Sequence, residues 1–166
     1  MISCLVIIDV QSGFLTNETN HVPDRIKELL SCEKFDHIVA TKYMNHEGSP
    51  CYKQLNWTSL MTKESQALNK YVESVSERVF KKDTYSCFTD EFKEYLKKEN
   101  ITDLHFVGID TDCCVLGSLY DAFDAGYNYK VYLDCCASCG GKKQHDSAVV
   151  VMERVFGKQH LLTNQL

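Results

Sequence analysis

Three residues with reactive side chains lie at or just beyond the ends of short apolar segments. Asp9 ends the first apolar segment, Lys82 ends the third, and Cys114 lies just past the fourth. A carboxylate, an ammonium group and a thiol suit nucleophilic catalysis, because a thiol attacks strongly only as the thiolate, which a nearby cation or a helix N-terminus favours. A neighbouring carboxylate can accept the thiol proton and later activate water. These residue types predict a nucleophilic cysteine site if the fold brings them together.

Apolar segments alternate with amphipathic ones, and this pattern predicts the elements that position the three residues. Strands are predicted over residues 5–9, 37–41, 78–82, 104–109, 129–133 and 160–163. Helices are predicted over residues 23–30, 66–72, 112–125 and 144–156, and another follows the N-cap residue Thr89, with an apolar stripe of Phe88, Phe92, Tyr95 and Leu96. Residues 43–63 are predicted to form a long polar-aromatic loop or a broken segment.

The alternation of strands and helices predicts an α/β fold. We expect one domain over residues 1–166, with three α/β/α layers and a mostly parallel sheet of about six strands. No Gly/Ser-rich linker divides the chain. In such sheets ligands bind beyond the carboxyl ends of the strands, so Asp9, Lys82 and Cys114 are expected to meet at one edge.

Charge and hydropathy exclude several classes of partner. The net charge is −5 and no basic cluster is longer than two residues, so a nucleic-acid footprint is not supported. No apolar run approaches the ~20 residues of a membrane span, and the first residues are predicted to form a strand rather than a signal peptide. The nine cysteines are an odd number and include two adjacent pairs. We therefore expect reduced thiols in a cytoplasmic protein.

Three motifs in the right order resemble those of the isochorismatase-like cysteine hydrolases. They are LVIIDVQ at 5–11 followed by Phe14, KDTYSCF at 82–88, and GIDTDCCV at 108–115. Asp121, Ala122, residues 125–127 and Asp134 also match, so the resemblance covers nearly the whole chain. It implies the isochorismatase-like hydrolase fold, an enzyme acting on a small molecule, and association into homo-oligomers.

The resemblance also implies a catalytic triad. Cys114 is the expected nucleophile, forming a thioester with release of ammonia or an amine, Asp9 is the general base, and Lys82 holds Asp9 and stabilises the thiolate. The backbone N–H groups of Asp110 and Cys114 are the expected oxyanion hole. The peptide bond between Ile109 and Asp110 is the expected position of a cis bond.

The chain departs from the family pattern at its metal site and at its pocket. Nicotinamidases of the family place a metal-binding Asp and His where this chain has Tyr43 and Asn45, so we predict no catalytic metal and no cofactor, and nicotinamidase activity is disfavoured. Cys114 argues against the ether hydrolysis of the isochorismatases, which lack this cysteine. A metal-free subgroup is the better match, with substrate-pocket candidates Phe14, Tyr43, Asn45, Trp57 and Tyr85. The expected substrate is a small planar amide or carbamoyl compound.

Other interpretations stay open at this point. Cys113 is an alternative nucleophile beside Cys114. Cys135, Cys136 and Cys139 form a C-C-x-x-C cluster that suits a redox or metal-sensing protein, although structural zinc usually takes four ligands. A hydrolase fold that has lost activity and serves as a scaffold is a third interpretation. The identity of the substrate does not follow from the sequence.

Overall fold

The structure is a computed structural model in which residues 1–163 are described, and its centre is a six-stranded parallel sheet. The strands are β1 (Ser3–Ile8), β2 (His37–Tyr43), β3 (Arg78–Lys82), β4 (Asp103–Ile109), β5 (Asn128–Ala137) and β6 (Leu161–Leu162). Their order across the sheet is β3-β2-β1-β4-β5-β6, and every pairing is parallel. The predicted α/β class and strand number are confirmed.

Helices cover both faces of the sheet. They are α1 (Val22–Cys32), α2 (Pro50–Leu55), α3 (Lys70–Val75), α4 (Asp90–Lys98), α5 (Leu116–Asp124) and α6 (Lys142–Val155). Within β1, Leu5 and Ile7 pack in the core with α1, α2 and α3, whereas Val6 and Ile8 pack in the core with α4, α5 and α6. A central parallel strand buried on both faces explains why this segment is continuously apolar.

In the connection between β2 and β3, the prediction of a helix over residues 66–72 is wrong. The helix predicted over 66–72 begins later, because the Asn69 side chain accepts hydrogen bonds from the N–H groups of Tyr71 and Val72 and so caps α3. Of the two alternatives predicted for residues 43–63, the structure matches the broken segment, because this stretch contains α2. There the Ser49 hydroxyl accepts from the Tyr52 N–H, and Pro50 stands at the first helical position.

The C-C-x-x-C cluster does not converge on one site. β5 continues through Ala137, so Cys135 and Cys136 are neighbours within a strand and point to opposite faces. Cys135 packs in the core beside α1, whereas Cys136 packs in the core beside α4, α5 and α6. All nine cysteines are free thiols. In the part of the chain that the structure describes, no helix has the length and apolar character to cross a membrane.

Burial raises the pKa of several thiols in these cores. The pKa of Cys87 rises to about 12, chiefly because burial desolvates the thiolate. Burial also raises the pKa of Cys135 to about 12 and moves the pKa values of Cys4 and Cys136 well above their ordinary value. Because an unfolded cysteine has a pKa of about 8.5, these thiols keep protons that the unfolded chain loses.

We expect the free energy of unfolding to fall as the pH rises from about 8 to about 10. In this range the unfolded chain binds fewer protons than the folded chain, so rising pH favours unfolding, by up to about 1.4 kcal/mol per pH unit for each fully buried thiol. Urea unfolding under reducing conditions measures the effect. Cys87→Ala is expected to flatten the slope and Cys32→Ala, at an exposed position, to leave it unchanged. An unfolding midpoint that does not move with pH contradicts the prediction.

Candidate active site

Asp9 lies directly after β1, in the middle of the sheet, and is fully buried. Its φ of 50° is uncommon for a residue with a side chain. Thr41, on the neighbouring β2, fixes the residue at both ends: its hydroxyl donates to Asp9 Oδ1 over 2.7 Å and accepts from the Asp9 N–H over 3.2 Å. Gly108 lets β4 lie close to the end of β1, because a Cβ at this position would stand 2.1 Å from the carbonyl oxygen of Ile8.

Lys82 reaches Asp9 from the end of β3 at the sheet edge. Its Nζ lies 2.6 Å from Asp9 Oδ2, and both side chains are withdrawn from solvent. Nζ also donates to the carbonyl oxygens of Thr84 and Tyr85, and it lies 5.1 Å from the centre of the Tyr43 ring, where a cation is attracted to the aromatic face. Burial, the largest single cause, lowers the pKa of Lys82, but the charges of Asp9 and Cys114 and the hydrogen bond to Asp9 together outweigh it, and the net direction is upward. Lys82 is therefore an ammonium ion at neutral pH.

Cys114 lies in a wide helical turn between β4 and α5. The turn is anchored on either side of Cys114, because the N–H groups of Cys113 and Val115 both donate to the Asp110 carbonyl oxygen. The Ser118 hydroxyl donates to the Cys114 carbonyl oxygen over 2.7 Å. The peptide bond between Ile109 and Asp110 is cis, which confirms that prediction. Lys82 Nζ lies 3.4 Å from Cys114 Sγ, so residues from three separate segments meet at the carboxyl edge of the sheet.

The pKa of the Cys114 thiol is shifted upward in this site. Burial raises its pKa well above the ordinary value, the charge of Asp9 raises it further, and the opposing charge of Lys82 does not offset the two. Burial and the charge of Asp9 therefore oppose the thiolate, whereas the charge of Lys82 favours it. Asp9, in contact with this thiol, is placed to take its proton when a substrate is attacked.

A cavity of about 350 Å³ opens beside Cys114. Four of the predicted pocket residues line it, namely Phe14, Tyr43, Trp57 and Tyr85. The rings of Phe14 and Trp57 are nearly parallel, at 11° with centres 6.0 Å apart, and the Tyr43 ring meets Trp57 edge-on. Asp110 and three further thiols, those of Cys51, Cys113 and Cys139, complete the wall nearest the nucleophile.

Asn45, the fifth pocket candidate, does not line this cavity. It is buried behind the wall, where its side-chain amide donates to the carbonyl oxygens of Trp57 and Ser59 over 2.9 and 2.7 Å. Its Oδ1 accepts from the Ser49 hydroxyl. Asn45 therefore holds the segment that carries Trp57 and acts on the cavity through that segment.

Asn45→Ala is expected to raise KM about tenfold with a smaller change in kcat, because Trp57 loses its fixed position while Cys114 keeps its contacts. The loss of a buried hydrogen-bonded amide also costs about 1–3 kcal/mol of stability. Steady-state kinetics and urea unfolding measure the two effects. Asn69→Ala removes an amide that caps α3 and is the matched control, expected to lower stability with KM unchanged. An unaltered KM for Asn45→Ala contradicts the assignment.

Two buried residues have roles that the sequence patterns did not assign. Thr41 orients the Asp9 carboxylate, as described above. Gln11 donates to the carbonyl oxygens of Tyr43 and Gln66 and accepts from the Tyr43 N–H, joining β1 to the cavity wall. Signals for both exist in the sequence, since Thr41 ends a predicted strand at the same edge and Gln11 belongs to the first motif.

The residues at the family's metal position do not fit a metal ion. The Asn45 side chain is engaged on both its nitrogen and its oxygen. The adjacent His46 uses Nε2 toward Asp83 over 3.1 Å and accepts from the Gly48 N–H at Nδ1. Over residues 1–163, no group of three or more His, Cys, Asp or Glu side chains is placed to hold a metal.

Comparisons with known proteins agree with the observed fold. The sequence-family model called Isochorismatase domain matches residues 3–162 of this chain. A nicotinamidase of Acinetobacter baylyi is 27% identical over an alignment of 183 positions, which covers 85% of each chain. The crystal structure of an isochorismatase-like hydrolase from Alkaliphilus metalliredigens superposes with a TM-score of 0.82 at 15% identity, covering 98% of this chain and 94% of that one. N-carbamoylsarcosine amidase from Thermoplasma acidophilum gives 0.77 at 20% identity, covering 98% and 95%.

Proposed function

The chain belongs to the isochorismatase domain family, and on that premise we propose that it is a metal-independent cysteine hydrolase that cleaves a C–N bond of a small amide or carbamoyl compound. The observation that carries the proposal is the Cys114 thiol beside the buried ion pair of Asp9 and Lys82, at the wall of a cavity of about 350 Å³. The similarity to a nicotinamidase supports amide hydrolysis as the reaction class.

The first half of the reaction forms a thioester. Asp9 accepts the thiol proton while Cys114 Sγ attacks the carbonyl carbon, so the sulfur acquires its negative charge only as the new bond forms. Lys82 stays protonated beside both groups and stabilises the negative charge on the sulfur during proton transfer. This interaction is strong because the side chains are buried from solvent. The N–H groups of Asp110 and Cys114 stabilise the oxyanion. Asp9 then passes its proton to the leaving nitrogen, and ammonia or an amine departs.

The second half hydrolyses the thioester. Water enters the space that the leaving group vacates, Asp9 removes a proton from it, and the oxygen attacks the acyl carbon. The C–S bond breaks, the sulfur recovers the proton from Asp9, and the carboxylic acid leaves. Asp9 therefore serves as base and acid in turn, which matches its contacts with both Cys114 and Lys82.

The alternatives to a hydrolase have weaker support. A redox or metal-sensing function of the C-C-x-x-C cluster has weak support, because Cys135 and Cys136 lie on opposite faces of the sheet and no group of three metal-ligating side chains occurs over residues 1–163. An inactive scaffold has no need of a buried ion pair beside a thiol at the wall of a cavity.

A screen for ammonia release tests the proposal. The reduced protein is assayed with a panel of small amides and carbamoyl compounds that includes nicotinamide, with and without EDTA. We expect release from at least one compound, equal with and without the chelator. Absence of release across the panel, or activity that EDTA abolishes, overturns the proposal.

A further inference from the structure

One acidic residue, Asp110, lines the cavity and lies on the same turn as the nucleophile. Asp110 stands four residues before Cys114, and its Oδ1 accepts from the Cys139 N–H over 2.6 Å. The Cys139 thiol donates to the Phe14 carbonyl oxygen over 3.3 Å. A carboxylate has about four acceptor positions, so this side chain keeps capacity to bind a donor group in the cavity.

The cavity wall offers no positive charge to balance Asp110. Among the described residues that line it, none is Lys, Arg or His, and Asp110 is the one Asp or Glu. Lys82 lies beneath the wall and is already paired with Asp9. An ionised Asp110 is therefore the one formal charge on the lining side chains, which favours a cationic molecule and opposes an anionic one.

The aromatic side of the cavity favours the same kind of molecule. Phe14, Trp57, Tyr43 and Tyr85 present rings to the space that Asp110 faces. Aromatic faces attract ammonium groups, and a ring of them is a common way to bind such cations. The acidic residue and the aromatic rings of the cavity therefore favour the same class of substrate, a small cation.

We propose that Asp110 is a specificity-determining residue that selects amides bearing a basic nitrogen, bound as the ammonium ion, and rejects amides bearing a carboxylate. This proposal rests on the proposed function, since it names the substrate class of the same site. Asp110 and Cys114 lie on one turn. A substrate that contacts both residues therefore carries its ammonium group close to its scissile carbonyl carbon.

Three amides of similar size test the selection: 4-(aminomethyl)benzamide, 4-ethylbenzamide and 4-carbamoylbenzoate. In the wild-type protein we expect the ammonium compound to have the highest kcat/KM, exceeding the neutral one by about tenfold or more, as a hydrogen bond to a charged group allows. The carboxylate compound is expected to be the poorest. Asp110→Asn is expected to remove the advantage of the ammonium compound through KM. Asp112→Asn, which removes a charge from the same turn at a residue outside the wall, is expected to keep it.

A binding measurement separates this proposal from the proposed function. Each compound is tested for protection of Cys114 against iodoacetamide, with the labelled peptide identified by mass. Protection in the order ammonium, neutral, carboxylate that Asp110→Asn abolishes supports the selection even if no ammonia is released, in which case the hydrolase proposal alone fails. Equal protection by the three compounds, or the same order in wild-type and Asp110→Asn protein, overturns the selection.

Discussion

Replacing Cys114 with alanine is expected to lower the rate of amide hydrolysis by at least about a thousandfold, because the substitution removes the only atom that the mechanism uses to attack the carbonyl carbon. Asp9 and Lys82 keep their ion pair, so the variant is expected to fold and to bind substrate. Ammonia release under saturating substrate measures the rate, and the same preparation is checked for unfolding in urea.

Cys113→Ala is the matched control, because Cys113 is the adjacent residue and also lines the cavity. We expect this variant to keep most of the activity and to retain the iodoacetamide label on Cys114. Hydrolysis by Cys114→Ala at a rate near that of the wild type, or loss of activity in Cys113→Ala alone, contradicts the choice of nucleophile.

Lys82→Met is expected to lower the free energy of unfolding by about 3–5 kcal/mol, since it leaves the fully buried Asp9 carboxylate without its counter-charge. Activity is expected to fall as well, because the sulfur loses the cation that stabilises it during proton transfer. Urea unfolding and ammonia release measure the two losses. In the double variant Asp9→Asn with Lys82→Met, the loss of unfolding free energy is expected to be smaller than the sum of the losses in the two single variants.

Lys81→Met provides the control for this charge removal. Lys81 is exposed on the same strand, so its substitution is expected to change stability by no more than about 0.5 kcal/mol. A Lys82→Met protein as stable as the Lys81→Met protein means that the ion pair is not needed to keep Asp9 buried, and it contradicts the role assigned to Lys82.

The meeting of Asp9, Lys82 and Cys114 follows from the sequence because a parallel sheet brings the carboxyl ends of its strands to one edge. Each residue needs only to end or follow its own apolar segment, and the local pattern shows that. The cis bond before Asp110 was predictable for a different reason, since it came with the resemblance of the 108–115 motif.

The upward shift of the Cys114 pKa and the roles of Asn45 and Cys135 were not predictable in this way. The pKa of the thiol depends on how completely the surrounding chain excludes water, which no short motif contains. Asn45 acts on the carbonyl oxygens of Trp57 and Ser59, more than ten positions away, and main-chain acceptors carry no sequence signal. Cys135 and Cys136 point to opposite faces of the sheet because β5 extends through Ala137, beyond the end of the strand that the apolar pattern predicts.

Acylation of the protein by an activated ester, such as a p-nitrophenyl ester of a small acid, tests the central claim most directly. The reaction is stopped with acid during turnover, and the intact protein and its peptides are weighed. We predict one acyl group per chain, attached to the peptide at Cys114, removed by hydroxylamine, and absent from Cys114→Ala. An acyl group on any other side chain, or an equal adduct in the Cys114→Ala protein, contradicts nucleophilic attack by this sulfur.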